Sequence, residues 1–167
     1  MGERGRQVRG VRAGLWFGAG FAAVVWLATA PLEALAGPEA EVFARVNRVR
    51  TERGLIPLAA SPELAKVALL HAQDMAKRGY LSHVTPEGLN PPQRAQAAGV
   101  TGFRLFAENI GASSISGDRI AVIVAEWMRS HDHRENVLNP AFNTAGVGVV
   151  QGPGNQTIVV ELYATYQ

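Results

Sequence analysis

Four histidines occur in the chain, and two of them, His131 and His133, fall within "AEWMRSHDHRENVLNP", residues 125–140, beside Ser130, Asp132 and Glu135. General-base, nucleophilic or metal chemistry calls for such a density of titratable groups, and a solvated helix junction has the same composition. Helical spacing places Glu126 and Ser130 on one face and Trp127 and His131 on the next. With a helix ending near Ser130, Asp132 is expected to cap a second short helix over "HRENVL", closed by Asn139 and Pro140. His133 then stands in its first turn, where the positive end of the helix dipole favours the neutral imidazole. That is the form that ligates metals and accepts protons. Two further candidates lie elsewhere, His83 in a loop and Glu108 in an expected strand. His71 is set aside, because it falls on or beside an apolar helix face, where a lone histidine is most often a hydrogen-bonded core residue. No H-E-x-x-H, G-x-S-x-G or G-x-x-x-x-G-K-[ST] occurs, so the zinc-protease, α/β-hydrolase and phosphate-loop signatures are absent.

The elements that must position these residues can be read from periodicity and punctuation. Val42, Val46 and Val49 recur at helical spacing before Gly54, which predicts a surface helix of about four turns. Ser61, Pro62 and Glu63 supply a capping hydroxyl, a first-turn proline and an early carboxylate, predicting a helix to Arg78 closed by Gly79. Its expected inner face is Leu64, Ala68, His71 or Ala72, and Met75. Residues 80–93 are rich in Pro, Gly, Ser and Asn and read as a loop, with a short helix after Pro92 reaching Ala98. Residues 105–112 read as a short strand. Asp118 caps the next helix, whose stripe is Ile120, Ile123, Val124, Trp127 and Met128. The β-branched and aromatic runs at residues 146–151 and 157–166 flank "GPGN" and predict an antiparallel hairpin. Helices precede strands instead of alternating with them, which points to an α+β domain.

Residues 1–36 read differently. Arg4, Arg6, Arg9 and Arg12 precede an uncharged apolar run, residues 13–32, and "ALA" at 34–36 completes a secretory leader pattern. An uncleaved membrane anchor is the competing reading, since a spanning helix needs roughly 20 apolar residues; Pro31 and the small-residue site favour cleavage. The expected organisation is a signal peptide or anchor over 1–36 and one exported domain over 37–167, with membrane contact only through residues 13–32 if these are retained. Residues 1–36 hold four of the 16 basic and two of the 14 acidic groups, leaving 12 of each and a formally neutral domain. The excess positive charge therefore argues nothing for nucleic acid, which is dropped as a partner. With no cysteine, the domain holds together by core packing alone.

"HAQDMAKRGYLSHVTPEG", "AENIG" and "WMRSHDHRENVLNPAFNTAGVGVV" occur in this order. Together they resemble the CAP superfamily, which contains the cysteine-rich secretory, antigen 5 and pathogenesis-related class 1 proteins. More narrowly the chain resembles the cysteine-free bacterial branch, with a W-x-x-S-x-x-H-R-x-N-[IV]-L run and a following G-V-G strand. The resemblance covers about residues 42–166 and implies a three-layer α-β-α sandwich with a central antiparallel sheet and a cleft. It implies that His83, His133 and Glu108 line this cleft and are able to hold a divalent cation, Zn2+ or another. The second acid of animal and plant members falls on Ser130, which removes one charge. Two imidazoles and a carboxylate would leave water as the fourth zinc ligand; alternatively Glu108 orients a histidine from behind, leaving two protein ligands. Glu126, one turn before Ser130, is a candidate to replace the missing acid.

The implied protein is a monomeric module, secreted or held at the cell envelope, that binds an extracellular lipid, polysaccharide or protein. Catalysis ranks below binding: the alternative is a hydrolase with His133, Ser130 and Glu108 as candidate catalytic residues. His133 would be its base, acting with a bound metal or with Ser130 as nucleophile; Ser130 lacks the signature of a strained elbow and an evident oxyanion hole.

Overall fold

The computed structural model describes residue 1 and residues 37–166; the expected leader, apart from Met1, lies outside the described residues. Among the described residues no helix is long and apolar enough to cross a membrane.

Helix α1 (Pro38–Thr51) buries Val42, Phe43, Val46 and, unexpectedly, Arg50. Strand β1 is only Ala59–Ala60. Helix α2 (Pro62–Arg78) starts where Ser61 Oγ accepts the Leu64 amide and stops at Gly79, whose φ of 72° is the left-handed conformation that glycine adopts without strain. Its buried face is Leu64, Val67, Ala68, His71, Ala72 and Met75. Helix α3 (Pro91–Ala97) begins at a reciprocal capping box between Asn90 and Gln93. Strand β2 (Leu105–Ser113) leads to α4 (Arg119–Arg129), capped by Asp118, and to α5 (His131–Leu138). Strands β3 (Thr144–Gly152) and β4 (Gln156–Thr165) form the hairpin across a single 3-10 turn.

The sheet order is β1-β3-β4-β2. β4 pairs antiparallel with both β3 and β2, and β1 adds two parallel pairs to β3, Ala59↔Thr144 and Ala60↔Ala145. The expected antiparallel sheet therefore carries a short parallel edge, too brief for any sequence period to mark. Alternation along β4 divides the interior. Val159 and Tyr163 face α1, α4 and α5, whereas Ile158, Val160, Leu162 and Ala164 face α2 and α3. Helices on both sheet faces make the three-layer α-β-α sandwich. On the α2 side β3 offers Gly146 and Gly148, where a Cβ would collide with helix backbone at Ala65 and Leu69. Their absence of side chains lets α2 lie directly on the strand.

Candidate functional site

β2 is an outer strand, and Glu108 sits in its middle with a side chain only 1% exposed. A carboxylate so buried requires partners, and it has two. α3 delivers Arg94, whose Nη2 forms an ion pair with Glu108 Oε2, while its Nη1 donates to the carbonyls of His83 at 2.6 Å and Leu89 at 3.2 Å. The other oxygen, Oε1, lies 2.8 Å from His83 Nδ1. An ion-paired carboxylate only accepts, so His83 carries a proton on Nδ1, and in the neutral ring Nε2 holds the lone pair. The His83 side chain is 50% exposed, which leaves that nitrogen within reach of solvent.

His133 comes from the other layer, as the third residue of α5. Its carbonyl accepts from Asn109 Nδ2 at 3.0 Å, and Asn109 Oδ1 accepts from Asn136 Nδ2 at 2.9 Å. These amides tie α5 to the residue following Glu108. Burial pushes the His133 imidazole pKa down, and the nearby His83 ring adds to this, against a weaker opposing pull from Asp132. Lowered from a value already near 6.5, His133 is neutral at pH 7. The structure thus joins His83 to Glu108 by a hydrogen bond and sets His133 near enough to His83 for that ring to disfavour protonation of His133.

Ser130 is the single residue between α4 and α5, with relaxed extended backbone at φ −75° and ψ 130°. The expected capping role of Asp132 is corrected. α5 begins directly after Ser130, so Asp132 lies inside its first turn and its Oδ1 meets His131 Nδ1 at 3.0 Å. Ser130 takes the cap position without making a side-chain cap bond. His131 is 69% exposed, and Glu126, also exposed, pairs with Arg129. A cavity of about 230 Å³ is lined by Ile110, Ala112, Ile123 and Trp127, with Glu126, Ser130 and His133 as its polar lining. A larger one, about 560 Å³, lies between Ser61, Lys66, Val100 and Tyr166 and contains no histidine. Size and chemistry point to different places, and the chemistry decides, because only the smaller of these two cavities is lined by a histidine, His133.

Among the described residues no group of three or more His, Cys, Asp or Glu is arranged to hold a metal ion. Both oxygens of Glu108 are engaged, one by His83 and the other by Arg94. Two residues important to this geometry escape sequence reasoning. Arg94 looks like any helical arginine, and nothing local points to a partner 14 residues later. His71, assigned to the core, is buried as expected, yet its Nε2 lies 2.9 Å from the Ser82 carbonyl, next to His83.

Residues 43–163 match the CAP family, described as the cysteine-rich secretory protein family. The Bacillus subtilis protein YkwD is 33% identical over 113 residues, covering 68% of this chain and 42% of YkwD. The chain spans less than half the length of the curated relatives it matches. Among solved structures, an extracellular protein containing an SCP domain from Bacillus anthracis is 28% identical with a TM-score of 0.64, covering 78% of this chain and 44% of that one. An outer surface protein from Borrelia burgdorferi has a TM-score of 0.68 at 22% identity, covering 76% of this chain and 91% of that one. The family match spans most of the described domain, from α1 to β4, and the chain belongs to the CAP family.

Proposed function

We propose that this CAP domain works outside the membrane as a binding module whose recognition groups are the imidazoles of His83 and His133. The observation that carries the reading is the hydrogen bond from His83 Nδ1 to the ion-paired Glu108, which leaves His83 Nε2 as an outward acceptor beside a neutral His133. A donor on the second ring nitrogen bound to a carboxylate is the usual arrangement of a metal-ligating histidine. The donor set therefore fits a divalent cation, zinc first, held by two protein nitrogens with Glu108 behind His83 instead of on the metal. One protein of the same fold, NaASP2, has a crystal structure with Zn2+; its TM-score is 0.54 at 17% identity, covering 77% of this chain and 80% of that one. When bound, such a cation supplies Lewis acidity and lowers the pKa of its water. Two neutral ligands without a carboxylate give modest affinity, suited to a ligand that completes the coordination. The apolar cavity beside His133 accepts a short apolar group of that ligand, whether lipid, polysaccharide or protein supplies it.

Hydrolysis ranks second. A nucleophile elbow holds its serine in a strained turn, whereas Ser130 has ordinary extended backbone, and among the described residues only Asn155 combines a side chain with positive φ. Calorimetric titration of the chain with zinc tests the ranking. Heat of binding is expected, and His83→Ala and His133→Ala each abolish it. No heat from the unmutated protein rejects the cation site, and peptide or ester hydrolysis that disappears in Ser130→Ala reverses the ranking.

A further inference from the structure

The loop carrying His83, residues 79–90, is held from inside by two side chains that take neighbouring carbonyls. His71 on α2 bonds to the carbonyl of Ser82 at 2.9 Å, and Arg94 on α3 to that of His83 at 2.6 Å. A carbonyl only accepts, so His71 must carry a proton on Nε2. His71 is 2% exposed and the Arg94 side chain 9% exposed. Each leaves one buried nitrogen without a hydrogen-bond partner among the described residues, His71 Nδ1 and Arg94 Nε. The two are complementary: in the neutral ring Nδ1 is an acceptor, and a guanidinium Nε–H is always a donor. Buried polar groups in folded proteins find partners. Burial lowers the His71 pKa, and the next largest influence is the charge of Arg94, in accord with a neutral ring close to the guanidinium.

We propose that His71 is a positioning residue of the site. Its Nε2–H fixes the Ser82 carbonyl, and its Nδ1 accepts the Arg94 Nε–H through one bound water, so that the chain His71, Arg94, Glu108 and His83 is continuous. Its effect is to hold Arg94 against Glu108 Oε2, keeping Oε1 turned to His83 and His83 in the Nδ1–H tautomer. On the opposite side the loop is tied down by Arg78, which binds Asp74 and Glu87, and the Tyr80 ring meets His71 edge-on. This inference rests on the reading of His83 as a site residue but not on any metal.

Long-range proton–nitrogen correlation spectra of the full chain, recorded without metal at neutral pH, read the tautomer of each histidine. The expected result is His71 as Nε2–H and His83 as Nδ1–H. His71→Gln keeps a donor and an acceptor and should leave His83 a single Nδ1–H tautomer; His71→Phe removes both and should turn it into a mixture. His71 found as Nδ1–H or as a cation overturns the proposal. So does loss of the His83 tautomer in folded His71→Gln, or its full retention in folded His71→Phe. If the Phe variant does not fold, the parent and the Gln variant still decide. Adding zinc afterwards separates the two ideas, since an absent zinc response rejects the cation reading alone.

Discussion

Glu161 on β4 is fully buried, with Oε2 accepting the Tyr163 hydroxyl at 2.7 Å and Oε1 unpartnered among the described residues. Burial pushes its pKa up to about 8, against the pull of the Tyr163 hydrogen bond and the Arg50 charge. The folded state therefore keeps a proton that the unfolded chain releases near pH 4.5. Its contribution is fully present below that value and is lost at about 1.4 kcal/mol per pH unit as pH rises toward 8. Glu161→Gln should remove this slope: in urea melts the variant gains on the parent between pH 5 and pH 8, and equal slopes would contradict the buried-acid account. Glu108→Gln keeps shape but loses the charge that Arg94 and the His83 Nδ1–H share, and zinc affinity should fall about 10–100-fold. An unchanged affinity would deny Glu108 its orienting role. Legibility at this scale was uneven. Arg50 lies on the inner face of α1 with Val42 and Val46, where it donates to the carbonyls of Ile56, Val137, Asn139 and Phe142. Its charge disguised it as surface, whereas motifs singled out His83, Glu108 and His133 as candidates.

Helix α2 shows how local signals and tertiary contact combine. Ser61, Pro62 and Gly79 punctuate it, and its buried stripe follows the apolar period, so both its limits and its inner face are legible in sequence. What it packs on is not, because Gly146 and Gly148 in "AGVGVV" signal a close approach without naming the helix that approaches. Gly148→Ala places a methyl against the backbone of Leu69, and overpacking of this kind costs about 1–3 kcal/mol. The urea midpoint should fall accordingly; an unchanged midpoint would mean that the helix shifts freely, in which case α2 is not the rigid support assigned to it. β1 was illegible for a simpler reason, since two residues carry no period. The α4–α5 junction was legible as a break, but its exact cap depended on one residue, Ser130, serving both helices.

At the scale of the molecule, two apolar layers flank one sheet, and the site forms where an outer strand, a loop and the start of α5 meet. His83 and His133 are 50 positions apart in sequence, so only the layered fold brings them together. Export remains a proposal tied to residues 1–36; mass spectrometry of protein recovered outside the cell should give a mass beginning at Gly37, and one beginning at Met1 would reject cleavage. The central claim is that the two imidazoles bind while Glu108 only orients. X-ray absorption at the zinc edge of the loaded full chain tests it most directly. The account predicts two imidazole nitrogens at about 2.0–2.1 Å, completed by water oxygens, and loss of the imidazole signal in the His83→Ala, His133→Ala double variant. A signal without imidazole, or one that the double variant leaves intact, would contradict it.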